Sequence, residues 1–166
     1  MASKSVRAVL ALGGNLGDRK EHIRLALEQL GQLDGVKVKR VSPYVESHAV
    51  TLAGVDQDKP KYLNAVAEVS TSLKPKELLS AIRAIETSHG RVRIDRWGSR
   101  TLDIDIITFG DLIKDSKELT IPHPRAYQRA FVLVPWMLMD DQAVIPGHGL
   151  VSDLAAPVAS QVWVVE

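Results

Sequence analysis

Leu63-Asn64-Ala65-Val66-Ala67-Glu68-Val69-Ser70 is the stretch on which the fold turns. Leu63, Ala65, Ala67 and Val69 alternate with Asn64, Glu68 and Ser70, the period-two pattern of a strand with one polar face, as antiparallel sheets carry. Downstream, Pro75 suits the first turn of a helix whose apolar stripe is Leu78, Leu79, Ile82 and Ile85, and Gly90 suits the cap beyond its end. Leu102 to Phe109 then returns as a strand. Upstream, Val6 to Leu12 is apolar enough for a buried strand, and Gly13 to Gly17 is turn chemistry. A helix follows, opened by Asp18 with Glu21 three residues on and striped by Ile23, Leu27 and Leu30, with Gly31 or Gly35 ending it. Val36 to Val41 reads as a strand. Ser42 to Lys61 is mostly loop, with a short strand near Val45. A last helix is expected over Arg125 to Met139, with Pro135 kinking it or marking a fresh start. Two helices on one antiparallel sheet make the expected class α+β, with residues 1–166 forming a single domain.

The composition excludes more than it identifies. Of 166 residues, 45% are hydrophobic and 25% charged, an ordinary globular balance. A net charge of +1 offers no field for gripping a polynucleotide, so any phosphate must be met locally. With no cysteine, thiolate catalysis, disulfides and cysteine-held metals are out. The apolar run Ala8 to Leu12 is too short for a membrane span or signal core, so a cytoplasmic protein is expected, with no membrane partner.

Chemistry concentrates in Arg100-Thr101-Leu102-Asp103-Ile104-Asp105-Ile106-Ile107. On a strand both carboxylates project to one face, their Cα atoms about 6.6 Å apart, while Leu102, Ile104 and Ile106 point to the other. Like charges so close favour a cation beside them. Magnesium suits the pair, because it takes few carboxylates and completes its shell with substrate phosphates. Just upstream, Gly90-Arg91-Val92-Arg93-Ile94-Asp95-Arg96-Trp97-Gly98-Ser99-Arg100 sets four arginines against one aspartate, guanidiniums suited to the remaining phosphate oxygens. Trp97 in that loop is available to stack on a planar heterocycle or to cap the core. His123, between Pro122 and Pro124 and ahead of Arg125 and Arg129, is a candidate phosphate donor. Tyr62 and Asn64 offer a ring and an amide for a flat polar ligand. The glycine turn matches neither a P-loop nor a dinucleotide fingerprint. These residues leave open a magnesium-dependent phosphoryl-transfer enzyme, another two-aspartate enzyme such as a nucleotidyltransferase, or a nucleotide-binding regulatory module without chemistry.

Taken in order, Gly13-Gly14-Asn15-Leu16-Gly17-Asp18, Tyr62-Leu63-Asn64-Ala65, Gly90-Arg91-Val92-Arg93, Arg96-Trp97-Gly98, Arg100 to Asp105 and Pro122-His123-Pro124 resemble the 6-hydroxymethyl-7,8-dihydropterin pyrophosphokinases of folate biosynthesis. The resemblance spans nearly the whole chain, and Arg96 to Asp105 is its most specific part. It implies a ferredoxin-like α+β fold and transfer of pyrophosphate from ATP to the pterin hydroxymethyl group, with two magnesium ions and release of AMP. By that resemblance Asp103 and Asp105 ligate both ions, Arg91 and Arg100 contact phosphates, and Trp97 belongs to a closing catalytic loop. Glu86, Arg93, Thr120 and His123 lie on the ATP side, and Arg129 approaches the phosphates or the pterin entrance. Tyr62, Asn64, Phe131 and the backbone around Ser47, His48 and Val50 hold the pterin. The expected partners are these two small molecules alone, with the chain acting as a monomer.

Overall fold

The computed structural model describes residues 4–51, 54–56, 60–90 and 101–165. In chain order its strands are β1 (Val6–Gly14), β2 (Val36–Val41), β3 (Tyr44–Ser47), β4 (Ala49–Thr51), β5 (Gly54–Asp56), β6 (Tyr62–Thr71), β7 (Asp103–Phe109), β8 (Lys114–Asp115), β9 (Thr120–Ile121), β10 (Val144–Ile145), β11 (Gly149–Leu150) and β12 (Val162–Val165). The α-helices are α1 (Arg19–Gly31), α2 (Pro75–Ser88), α3 (Ala130–Met139) and α4 (Val151–Ala155).

The main sheet runs β12-β3-β6-β1-β7, with β2 also on β6, and its pairings are antiparallel. Strands β2 and β3 lie end to end along one edge of β6, interrupted at Ser42 and Pro43. There Ser42 keeps the lattice intact: its N–H donates to Val66 O at 2.8 Å, and its Oγ accepts from Val66 N at 2.8 Å. The expected α+β, ferredoxin-like arrangement is the one observed.

One face of the sheet carries α1 and α2. Ile23, Ala26 and Leu30 of α1 and Leu78, Ile82 and Ile85 of α2 pack on Ala8, Leu10, Leu12, Leu63, Ala65, Ala67, Val69, Ile104 and Ile106. Local signals start and stop these helices. Asp18 accepts from Glu21 N at 3.2 Å. Pro75 opens α2, Glu77 reaches back to Lys74 N at 2.8 Å, and Gly90 at φ 74° donates to Thr87 O at 3.0 Å.

Three expectations need correction. The polar face of β6 is not wetted: Asn64 and Glu68 are 7% and 5% exposed, because α3 and α4 form a second apolar cluster over it with Val9, Val45 and Val66. The helix expected over Arg125 to Met139 breaks at Arg129, whose φ of −100° and ψ of 111° are extended; a 3₁₀ turn, Ala126–Gln128, precedes it. Pro135 lies inside α3 and is buried there. Within the stretch read mostly as loop, β4 and β5 form a hairpin.

Candidate active site

Sheet register gathers the candidate side chains. Gly13 of β1 pairs with Asn64 on one side and Asp103 on the other, while Ala11 pairs with Val66 and Asp105. Side chains at paired positions share a face, so Asn64, Asp103 and Asp105 stand on the same side of the sheet. Farther along the row, Val45 pairs with Asn64 and Ser47 with Tyr62. Leu102, Ile104 and Ile106 are buried between the half-buried aspartates, as the D-x-D reading expected.

Gly13 is in the strand and not in the turn to which the sequence assigned it. A Cβ there would stand 2.8 Å from both Cγ and Nδ2 of Asn64 and still nearer its Oδ1. The Asn64 amide therefore lies over Gly13, reaching across the strand that separates it from Asp103.

At the β7 edge, a cavity of about 270 Å³ is lined by Glu86, Asp105, Thr120 and His123, together with Arg83 and Lys117. Three residues expected on the nucleotide side thus meet one carboxylate of the pair. A larger cavity of about 410 Å³ between α1 and α2 is lined by His22, Gln29 and His89, and contains neither aspartate. Size therefore does not single out the candidate site: the smaller cavity is the one that contains Asp105.

Glu86 is 4% exposed and accepts from Ile104 N at 2.9 Å, so it also fastens β7 to α2. His123 is anchored by its own N–H, which donates to Ile107 O at 2.9 Å. Its Nδ1 accepts from Arg125 N at 3.1 Å, which leaves Nε2–H as the donor of the neutral ring. Burial pushes the His123 pKa down; Asp105 opposes this, and Arg129 and Arg125 add to it. Burial also lowers Arg129, against the pull of Asp105 and, more weakly, Asp103. Arg129 remains a cation facing the acidic pair.

Arg129 stands at the N-cap of α3, and its guanidinium carbon lies 5.5 Å from the centroid of the Phe131 ring. Phe131 packs against the cluster containing Val45 and Val66, the strand neighbours that flank Asn64. Ser47 is buried, and His48 follows it half-buried. Val50 falls in β4, with its side chain outside the described part. Arg91, Arg93, Trp97 and Arg100 also lie outside the described residues. The sequence reading missed Arg83 and Lys117; Lys117 sits in the polar run Lys114-Asp115-Ser116-Lys117, a signal that was present but unspecific.

Residues 9–141 match the family model for 7,8-dihydro-6-hydroxymethylpterin-pyrophosphokinase (HPPK). The chain belongs to this family. Among curated HPPK relatives, the 2-amino-4-hydroxy-6-hydroxymethyldihydropteridine pyrophosphokinase of Haemophilus influenzae is 37% identical, covering 93% of this chain and 94% of its own. The enzyme of that name from Pseudomonas aeruginosa is 41% identical, over 90% of this chain and 91% of its own. Among solved structures, wild-type Plasmodium falciparum HPPK-DHPS with pteroate superimposes with a TM-score of 0.72 over 96% of this chain. At 15% identity that likeness speaks for the HPPK fold alone, and this chain spans 43% of the Plasmodium chain.

Proposed function

We propose that this chain transfers the β,γ-pyrophosphoryl group of ATP to the hydroxymethyl oxygen of 6-hydroxymethyl-7,8-dihydropterin, releasing AMP, in folate biosynthesis. The observation that carries the reading is the row Asn64–Gly13–Asp103 with Asp105 beside it, in a chain of the HPPK family. It supports an acceptor held near Asn64 and Tyr62 and a phosphate chain held near the aspartates.

Asp103 and Asp105 fit magnesium. Their opposite numbers on β1 are Gly13 and Ala11, which crowd them little. Among the described residues no group of three or more His, Cys, Asp or Glu side chains stands ready to hold a metal. Two carboxylates completed by phosphate oxygens is the magnesium habit. Magnesium held by Asp103 and Asp105, two ions by the resemblance, would supply charge neutralisation for the phosphates.

The other side chains orient and neutralise. His123, kept neutral by burial, offers Nε2–H to a phosphate oxygen from the cavity wall it shares with Asp105. Arg129 adds fixed positive charge near the pair, and Arg91, Arg93 and Arg100 would add theirs to the phosphates. The acceptor oxygen bonds to the β phosphorus, the bridge to the α phosphate breaks, and the hydroxyl proton is released. By the sequence resemblance Trp97 would help to exclude water, which otherwise competes as acceptor. Tyr62 and Phe131 sandwich the pterin ring, and Asn64 with the Ser47, His48 and Val50 backbone reads its edge. Glu86 and Thr120 line the ATP side.

The chain works as a single cytoplasmic domain and as a monomer. Among the described residues no helix is long and apolar enough to cross a membrane. The test is to incubate the protein with Mg-ATP and the dihydropterin and to follow the nucleotide product. AMP in step with pterin pyrophosphate is expected; ADP, or no pterin-dependent product, overturns the reading.

A further inference from the structure

Among the described residues strand β12 pairs with β3 alone, setting Trp163 opposite Glu46 and Val162 opposite Ser47. Side-chain alternation puts Glu46 and Trp163 on the sheet face opposite Ser47, Tyr62 and Asn64, behind the proposed acceptor pocket.

From there Trp163 ties three segments together. Its indole Nε1 donates to Glu46 Oε1 at 3.2 Å. Its ring meets His48 edge-on, with centroids 5.2 Å apart and planes at 61°. Lys61 Nζ sits 5.6 Å from its ring centroid. The second oxygen of Glu46 accepts from Arg19 Nη2 at 2.8 Å, and Arg19 Nη1 donates to Lys61 O at 2.8 Å, bringing in the first turn of α1. Asn15 Nδ2 donates to Pro60 O at 3.2 Å, holding the same approach to Tyr62.

The state of His48 makes the indole decisive. His48 Nδ1 is enclosed with no hydrogen-bond partner among the described residues, so the T-shaped contact with the indole helps to orient the ring. Burial pushes the Glu46 carboxyl up, but the Arg19 hydrogen bond and charge, the Trp163 N–H and Lys61 outweigh it and hold it below the usual range. It is therefore a carboxylate at neutral pH, a strong acceptor for the indole.

We infer that Trp163 is a positioning residue for the acceptor: through Glu46, His48 and Lys61 it fixes segment 46–48 against Tyr62 and Asn64, and so sets affinity for the dihydropterin without touching it. This rests on the placement of the pterin proposed above.

The test is steady-state kinetics with each substrate varied at saturation of the other, on Trp163→Leu, Trp163→Phe, Val164→Ala and Asn64→Ala. Trp163→Leu should raise the pterin KM about tenfold, the scale of one charge-assisted bond, with the ATP KM and kcat within about twofold. Trp163→Phe, which keeps a ring on His48 but loses the N–H, should fall between Leu and wild type. Val164→Ala, on the same strand and 54% exposed, should leave the pterin KM unchanged. An unchanged pterin KM in Trp163→Leu overturns the inference; so does a parallel rise in both KM values, or an equal effect from Val164→Ala, since either signals general loosening. An unchanged pterin KM in Asn64→Ala, with the wild type releasing AMP, instead overturns the placement of the pterin.

Discussion

The two faces of β6 are both buried, yet they are built by different rules. Leu63, Ala65, Ala67 and Val69 face α1 and α2 and are uniformly apolar. The other face presents Tyr62, Asn64, Val66, Glu68 and Ser70, with α3 over it. A polar side chain under a helix is costly unless something answers it. Glu68 is answered within the fold: Arg7 Nε lies 3.0 Å from one oxygen and Arg40 Nε 2.8 Å from the other, and Arg40 reaches on to Asp140 at 3.3 Å. Asn64 lies over Gly13 beside the aspartates, where we place a ligand. The difference teaches that one face specifies packing, whereas on the other the buried Glu68 meets specific partners and the buried Asn64 lies where we place a ligand.

The strongest way to break this contrast is to alter the charged end of the second face. Asp105→Asn or Asp103→Asn should lower turnover by about 10³-fold, roughly 4 kcal/mol of transition-state stabilisation, with the thermal midpoint nearly unmoved. A midpoint that collapses with the rate would make the pair structural. The converse change lies on the apolar face. Leu10→Ala, at a fully buried position, should cost about 3 kcal/mol in urea unfolding while the folded fraction keeps its turnover.

A finer division separates the polar residues. Glu68→Gln should cost about 1–2 kcal/mol of stability and leave both KM values alone, because its arginines can turn to water. A loss of turnover there would erase the distinction between its role and that of Asn64.

The smallest expected effect lies outside β6, between the helices of the apolar face. Gln29 Oε1 accepts from His89 Nε2 at 2.7 Å, and His22 Nδ1 lies 2.7 Å from His89 Nδ1, so His22 donates to the unprotonated nitrogen of His89. Burial, and then His22, hold the His89 pKa below 6.5. Below pH 6.5 the unfolded ring binds a proton that the folded one resists, so stability falls as pH drops from there toward the folded pKa. His89→Gln should flatten that part of a stability-against-pH curve and leave the slope above it unchanged.

Much of this architecture was legible because the signals were local. Pro75 and Gly90 bound α2, and Asp103 and Asp105 alternate with Leu102, Ile104 and Ile106. The D-x-D face was therefore readable before any neighbour was known. The burial of Asn64 and Glu68 was not, because the cover comes from α3, more than sixty positions away and too apolar all round to show which face it buries. Gly13 was misread for a related reason: its neighbours in a glycine-rich run suggest a turn, whereas Asn64 requires the missing side chain across the sheet. Trp163 gave no signal at all, since its partners Glu46 and His48 are brought to it only by pairing of β12 with β3.

Gly13 also works as a gauge. Asn64 and Asp103 are held two strand spacings apart, about 10 Å, by backbone hydrogen bonds on both sides of β1. That interval belongs to the lattice of the sheet, so no loop movement can lengthen or shorten it. Loops can open, close or change what they grip, but the offset between Asn64 and Asp103, where we place acceptor and donor, is a constant of the scaffold. An engineer seeking a longer or shorter reach would have to re-register strands, whereas changes of acceptor shape need only new side chains around an unchanged ruler.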